Sequence, residues 1–129
     1  MAKKNLILRI TLSFILLMHS IPGMLDGGIS GFGQYLHDVG FGSIGLVLAW
    51  LIKLSHLGTI VALLSDKWII PASIITILIF IAGIIMVHWP NGWFVVGGGS
   101  NGIEYNVLLI ACFVHLAIDR YKKNKKGEL

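Results

Sequence analysis

Residues 88–129 read HWPNGWFVVGGGSNGIEYNVLLIACFVHLAIDRYKKNKKGEL, and this stretch decides the fold. An apolar segment reaches His88 and breaks at Pro90. A loop rich in Gly and Trp follows, with Gly97, Gly98 and Gly99 at its centre. Gly102, Ile103 and Glu104 then open a second apolar run that ends at Asp119. Arg120, Lys122, Lys123, Lys125 and Lys126 follow it. Two apolar segments, a polar crossing point and a basic stop form the pattern of a helical hairpin through a bilayer.

The bulk properties agree. Of 129 residues, 56% are hydrophobic and 12% charged, and mean hydropathy is +0.85. A soluble domain carries about a quarter charged residues. The length suits a single domain, residues 1–129. The formal net charge of +4 sits at the two ends of the chain, which suits an anionic leaflet and gives no nucleic-acid signal. Cys112 is the single cysteine, so neither an intrachain disulfide nor a CxxC pair can form.

Working outward gives an all-α chain with four transmembrane spans, at about 5–24, 41–64, 68–89 and 103–121, and a basic tail at 120–129. Each is close to the ~20 residues that cross ~30 Å of hydrocarbon. The first four residues followed by an apolar run look like the start of a signal peptide. No small-x-small cleavage site follows, so the run reads as a retained first span. Between spans one and two lies LDGGISGFGQYLHDVG, where Ile29, Phe32, Leu36 and Val39 recur at helical spacing. This predicts a short interfacial helix capped by Ser30, with Tyr35 at headgroup depth. Lys3, Lys4, Arg9, Lys67 and the tail fall on one side of this arrangement. The opposite loops carry no Lys or Arg, so the positive-inside rule gives a multi-pass protein, N-in and C-in.

Counting depth at about 1.5 Å per residue sorts the polar groups. His19, Ser20, His88 and Glu104 fall near the outer helix ends, where Trp93, Asn91, His37 and Asp38 could join them. Lys53, His56 and His115 fall in a middle-to-inner tier. Arg9, Asp66, Lys67 and Asp119 fall at the inner surface. Two groupings follow as candidate sites: an outer polar pocket of His19, His88, Glu104 and Trp93, and an inner polar group of Lys53, His56 and His115. Arg9 and Asp119 are expected to form an ion pair between spans one and four. A charge at mid-bilayer costs at least ~2.5–3.5 kcal/mol, which makes Lys53 the most demanding of these residues. Each grouping has a structural alternative: a snorkelling Lys53, interhelical hydrogen bonds for His56 and His115, and a loop-fixing bond for His88 and Glu104.

Little catalytic chemistry is readable. There is no triad, no HExxH and no CxxCH, and no set of metal ligands at a recognisable spacing, so the catalytic residues and the question of enzyme activity stay open. Haem would need two facing histidines; His19 with His88, or His56 with His115, match in depth, but no ligation motif supports them. Gly97–Gly99 lacks the Lys-Ser/Thr of a phosphate loop. A pocket between helices is better supported. An apolar aromatic mouth with one His and one carboxylate suits a quinone head group, whose carbonyls need donors and whose reduction needs protons.

The order of these features resembles the DoxX family of small four-span membrane proteins. The resemblance covers nearly the whole chain. It rests on Arg9 in the first turns of span one, on VGFGSIG (residues 39–45), on His88, on Gly97, Gly98 and Gly99, on GIEYNVLLI (residues 102–110), and on LAID (residues 116–119). The chain departs from the pattern in span two, where KLSHLG (residues 53–58) lacks the Glu of many relatives, and after His19, which no Lys follows. The resemblance implies a bacterial inner-membrane protein, oxidoreductase-like in name, serving as an accessory or quinone-interacting subunit of a membrane redox system. The alternative it leaves open is a non-enzymatic assembly or chaperone-like helper that binds partner transmembrane helices. The lipid bilayer is the one partner the sequence fixes; a redox or assembly partner and a homo-oligomer both remain open.

Overall fold

A backbone in hydrocarbon must satisfy its own hydrogen bonds, and a helix does so within one segment. A computed structural model of the chain describes residues 4–127, and all of its regular elements are helical, with no strand among the described residues. Lys3 and the last two residues of the tail lie outside the described part. The elements are α1 (Leu6–Leu25), α2 (Gly28–Leu36), α3 (Gly45–Ser65), α4 (Ile69–Gly83) and α5 (Glu104–Lys126). They fall into two compact units, Met1–Lys67 and Trp68–Leu129.

In the first unit α1 and α3 run antiparallel. Arg9 meets Leu63 and Asp66 near one end, and His19 meets Lys53 near the other. Those contacts are ten residues apart on each helix, or about 15 Å. Leu12, Leu16, Ala49, Ala62 and Leu63 are buried along these helices. The registration sets the first turn of α3 level with the end of α1, and α2 packs against it. Ile29, Gly33 and Leu36 are its buried face. A Cβ at Gly33 would stand 2.8 Å from the Leu46 Cα, and one at Gly45 would stand 2.5 Å from the Gly33 carbonyl oxygen. Only glycine at both positions allows this approach.

The turn between α2 and α3 is a π turn (His37–Phe41) followed by a 3-10 turn (Gly42–Ile44). Gly40 and Gly42 have φ of 118° and 55°, which is why regular α-helix starts at Gly45 and not at the predicted residue 41. The expected interfacial helix is present with a different start. It begins at Gly28, and the Asp26 carboxylate, not Ser30, accepts the Gly28 amide at 2.9 Å. Val39 is exposed, because the π turn rotates it off the stripe that Ile29 and Leu36 define.

In the second unit α4 continues through a π turn (Ile84–His88) and a 3-10 turn (Trp89–Asn91) before the loop. Pro71 lies in its first turn, where a missing amide costs nothing. α5 packs on α4 through Phe113, whose ring lies 6.0 Å from that of Phe80, and through Asn106, which donates to the Phe80 carbonyl.

Three segments are long and apolar enough to cross a membrane: Leu6–Leu25, Gly28–Ser65 and Ile69–Asn91. The chain thus has the makings of an integral membrane protein. The fourth expected span, α5, has 23 residues but differs in charge. Glu104 opens it, and Asp119, Arg120 and Lys122 fall inside its length, so each eighteen-residue window holds more than two charges.

Candidate functional site

The loop joining α4 to α5 is a folded structure. The Gly102 amide donates to the Phe94 carbonyl, Ile103 to Gly92, and Glu104 to Trp93, all at 3.0 Å. These bonds bring the two ends of the loop together. Gly102 is buried at the crossing, where a Cβ would stand 2.5 Å from backbone atoms of Trp93. The loop is thereby drawn back over the start of α5.

Two side chains complete it. Glu104 Oε1 accepts the Val95 amide at 2.7 Å. An acid in the first turn of a helix also meets the positive end of the helix dipole. His88 Nδ1 lies 2.9 Å from the Asn101 carbonyl. A carbonyl only accepts, so Nδ1 carries the proton and Nε2 is left as an acceptor.

Folding the loop this way creates an open groove of about 600 Å³ against the outward face of α5. Trp93, Val95 and Val96 line it from the loop, and Glu104, Tyr105, Val107, Leu108 and Ala111 line it from the helix. The walls are aliphatic and aromatic. The polar groups are the Trp93 indole N–H, the Tyr105 hydroxyl and the Glu104 carboxylate. Oε1 holds the loop, which leaves Oε2 for a ligand.

Of the predicted outer pocket, Glu104 and Trp93 thus line one groove. His88 lies outside that lining and ties the loop. His19 belongs to the first unit, where its ring is exposed and its carbonyl accepts Lys53 Nζ. Tyr105 and Val95 are groove residues that the sequence reading did not single out as ligands. Tyr105 was readable as part of an aromatic cluster; Val95 enters through a loop conformation that leaves no mark in composition.

The predicted inner group divides differently. Lys53 and His56 meet His19 and Ser20, so the two tiers of the depth count merge in the first unit. Ser20 Oγ lies 3.5 Å from His56 Nδ1, with both residues buried. Lys53 reaches the His19 carbonyl and lies 5.6 Å from the Phe32 ring centroid, a cation–π distance. The depth count placed Lys53 deeper because it matched the start of span two to the end of span one. In the fold α3 starts only at Gly45, level with the end of α1, so Lys53 lies beside the last two turns of α1 and near Phe32 of α2. A carbonyl and an aromatic face then replace the carboxylate that the sequence lacks. His115, in the second unit, is exposed on α5.

At the inner face, Arg9 finds partners within its own unit. Arg9 is buried, with 3% of its surface exposed. Its Nε donates to the Leu63 carbonyl at 2.6 Å, and Nη1 lies 2.8 Å from Asp66 Oδ1. Asp66 has φ of 61°, the left-handed conformation that ends α3 and turns its carboxylate toward Arg9. Arg9 therefore closes the C-terminus of α3. Asp119, paired with Arg9 in the sequence reading, lies 3.5 Å from Lys123 one turn along α5.

At the α2–α3 turn, Asp38 accepts Gln34 Nε2 at 2.8 Å and approaches His37 Nδ1 at 3.1 Å. The bonds from His37 and Gln34 hold its carboxyl below the usual aspartate range. Cys112 is half-buried and unbridged. No group of metal-binding side chains occurs among the described residues. No protein-family model, curated protein or solved structure matches the chain.

Proposed function

We propose that the chain is a DoxX-like integral protein of the bacterial inner membrane with four spans, α5 being the fourth. In this reading both termini face the cytoplasm and the α4–α5 loop faces outward. The charges of α5 support it: they occupy its first and last turns, and the stretch from Tyr105 to Ile118 between them holds no Asp, Glu, Lys or Arg. Lys67, Arg120, Lys122, Lys125 and Lys126 then share the cytoplasmic side.

Within that frame the protein is a quinone-interacting accessory subunit of a membrane redox system. The groove beside Glu104 carries this reading. Its volume, about 600 Å³, falls in the range of small-molecule sites. Its walls are apolar, and its few polar groups supply both hydrogen-bond roles. The Trp93 N–H and the Tyr105 O–H can donate to quinone carbonyls, and Glu104 Oε2 can accept a quinol hydroxyl. The α5 wall of the groove runs through Val107, Leu108 and Ala111 into the apolar stretch of the helix, along which a lipid-soluble ligand would arrive.

The test is purification in a mild detergent, solvent extraction and chromatography of the extract, with a short-chain quinone titrated against tryptophan fluorescence. Co-purifying quinone, and quenching that is lost in Trp93→Phe, support the reading. A quinone-free extract with no quenching, together with a co-purifying membrane protein, supports the assembly-helper role instead.

A further inference from the structure

The exposed face of α5 does not end at the groove. Ala111, His115, Ile118, Lys122 and Lys125 follow one another at spacings of three and four, Val114 and Lys126 flank them, and all are exposed. They therefore form one outward stripe along the helix. Its first part is aliphatic, with Val114 and Ile118 exposed by 40% and 49%. Its last part is cationic. α5 stays helical through Lys126, so the ammonium groups are carried at fixed positions beyond the apolar stretch.

These lysines differ from their neighbour. Lys123 lies 3.5 Å from Asp119 and is balanced there. Lys125 points away from that pair, Lys122 and Lys126 flank Asp119 on its other edge, and none of the three forms an ion pair with an acid among the described residues. From Lys122 to Ala111 the helix covers eleven residues, about 16 Å, which is close to the length of an acyl chain.

We propose that this stripe is a docking site for an anionic phospholipid of the cytoplasmic leaflet. Its phosphate is held by Lys122, Lys125 and Lys126, and one acyl chain lies along Ile118, Val114 and Ala111. The complementary charge and the apolar lane that follows it along the helix select this occupant. The proposal rests on α5 crossing the membrane, and it is independent of whether the groove takes a quinone.

The experiment is native mass spectrometry of the full chain in nonionic detergent, titrated with dioleoyl phosphatidylglycerol or dioleoyl phosphatidylcholine. Inorganic phosphate and dihexanoyl phosphatidylglycerol serve as competitors. A lysine near anionic lipid contributes roughly fivefold in affinity, so three give more than about tenfold preference for the anionic lipid after screening. That preference is expected to disappear in Lys122→Gln/Lys125→Gln/Lys126→Gln and to resist both competitors. Equal binding of the two lipids, an undiminished preference in the triple variant, or full competition by phosphate would each overturn it. Cysteine labelling of α5 in the same variants separates this outcome from a failure of the four-span reading.

Discussion

Arg9 offers the sharpest test of how the first unit is held. It is a buried cation with two strong bonds, to the Leu63 carbonyl at 2.6 Å and to Asp66 at 2.8 Å, and a longer contact to the Leu64 carbonyl at 3.5 Å. Removing one partner of a fully buried pair costs about 3–5 kcal/mol, while an exposed pair is worth about 0–1 kcal/mol. The Asp66 side chain is 42% exposed, so its attraction to Arg9 is partly screened. The pair falls between those limits, and Asp66→Asn is expected to cost about 1–2 kcal/mol. Asn tolerates the left-handed φ at this position, so the substitution removes charge without disturbing the turn. Arg9→Met removes the carbonyl bonds as well and is expected to cost about 2–4 kcal/mol, since each bond to a charged donor contributes about 1.5–3 kcal/mol. Once Arg9 is gone Asp66 has lost that attraction, so Asp66→Asn should cost less in the Arg9→Met background than in the unaltered protein. The assay is reversible unfolding by sodium dodecyl sulfate in mixed micelles, followed by circular dichroism. Single effects that add to within about 0.3–0.5 kcal/mol would refute the coupling.

Other outcomes follow from the same structure. Gly33→Ala and Gly45→Ala each force a Cβ into backbone at 2.8 and 2.5 Å and should destabilise by about 1–3 kcal/mol in the same unfolding assay. Gly31→Ala, with nothing within 4 Å, should be neutral or stabilising by up to about 1 kcal/mol. Glu104→Ala frees the Val95 amide, and its hydrogen exchange should accelerate; Glu104→Gln keeps an acceptor and should preserve most of the protection. His37→Ala should move the Asp38 carboxyl up toward its ordinary value of 3.8 in an NMR titration. The sign follows from linkage: a depressed carboxyl stabilises the turn above its unfolded pKa, and that contribution is lost as pH falls through the folded pKa.

The helical class and the approximate segments were legible because membrane spans announce themselves through long apolar runs. Turn chemistry was less legible. Gly40 and Gly42 sit in the VGFGSIG run, yet sequence alone does not say that their positive φ delays α3 to Gly45. That delay had consequences. It sets the first turn of α3 level with the end of α1 and brings Lys53 level with His19, where a depth count from residue 41 had separated them. Arg9 was visible as a charge at the inner face, where Asp66 and Asp119 share a tier, and depth alone does not single out Asp66. The fold supplies a carboxylate on the helix that already packs against α1. For the groove, Glu104 and Trp93 were legible as an acid and an aromatic at one membrane face. The bond from Glu104 to Val95, which builds the groove wall, depends on a loop path set by Gly102.

The account depends most on α5 crossing the bilayer, which site-directed labelling of cells tests directly. In a Cys112→Ser background, Gly98→Cys, Lys67→Cys and Lys126→Cys are probed one at a time with a membrane-impermeant maleimide. The four-span reading predicts that Gly98→Cys reacts in intact spheroplasts, while Lys67→Cys and Lys126→Cys react only after permeabilisation. Labelling of Gly98→Cys and Lys126→Cys from the same side would contradict it.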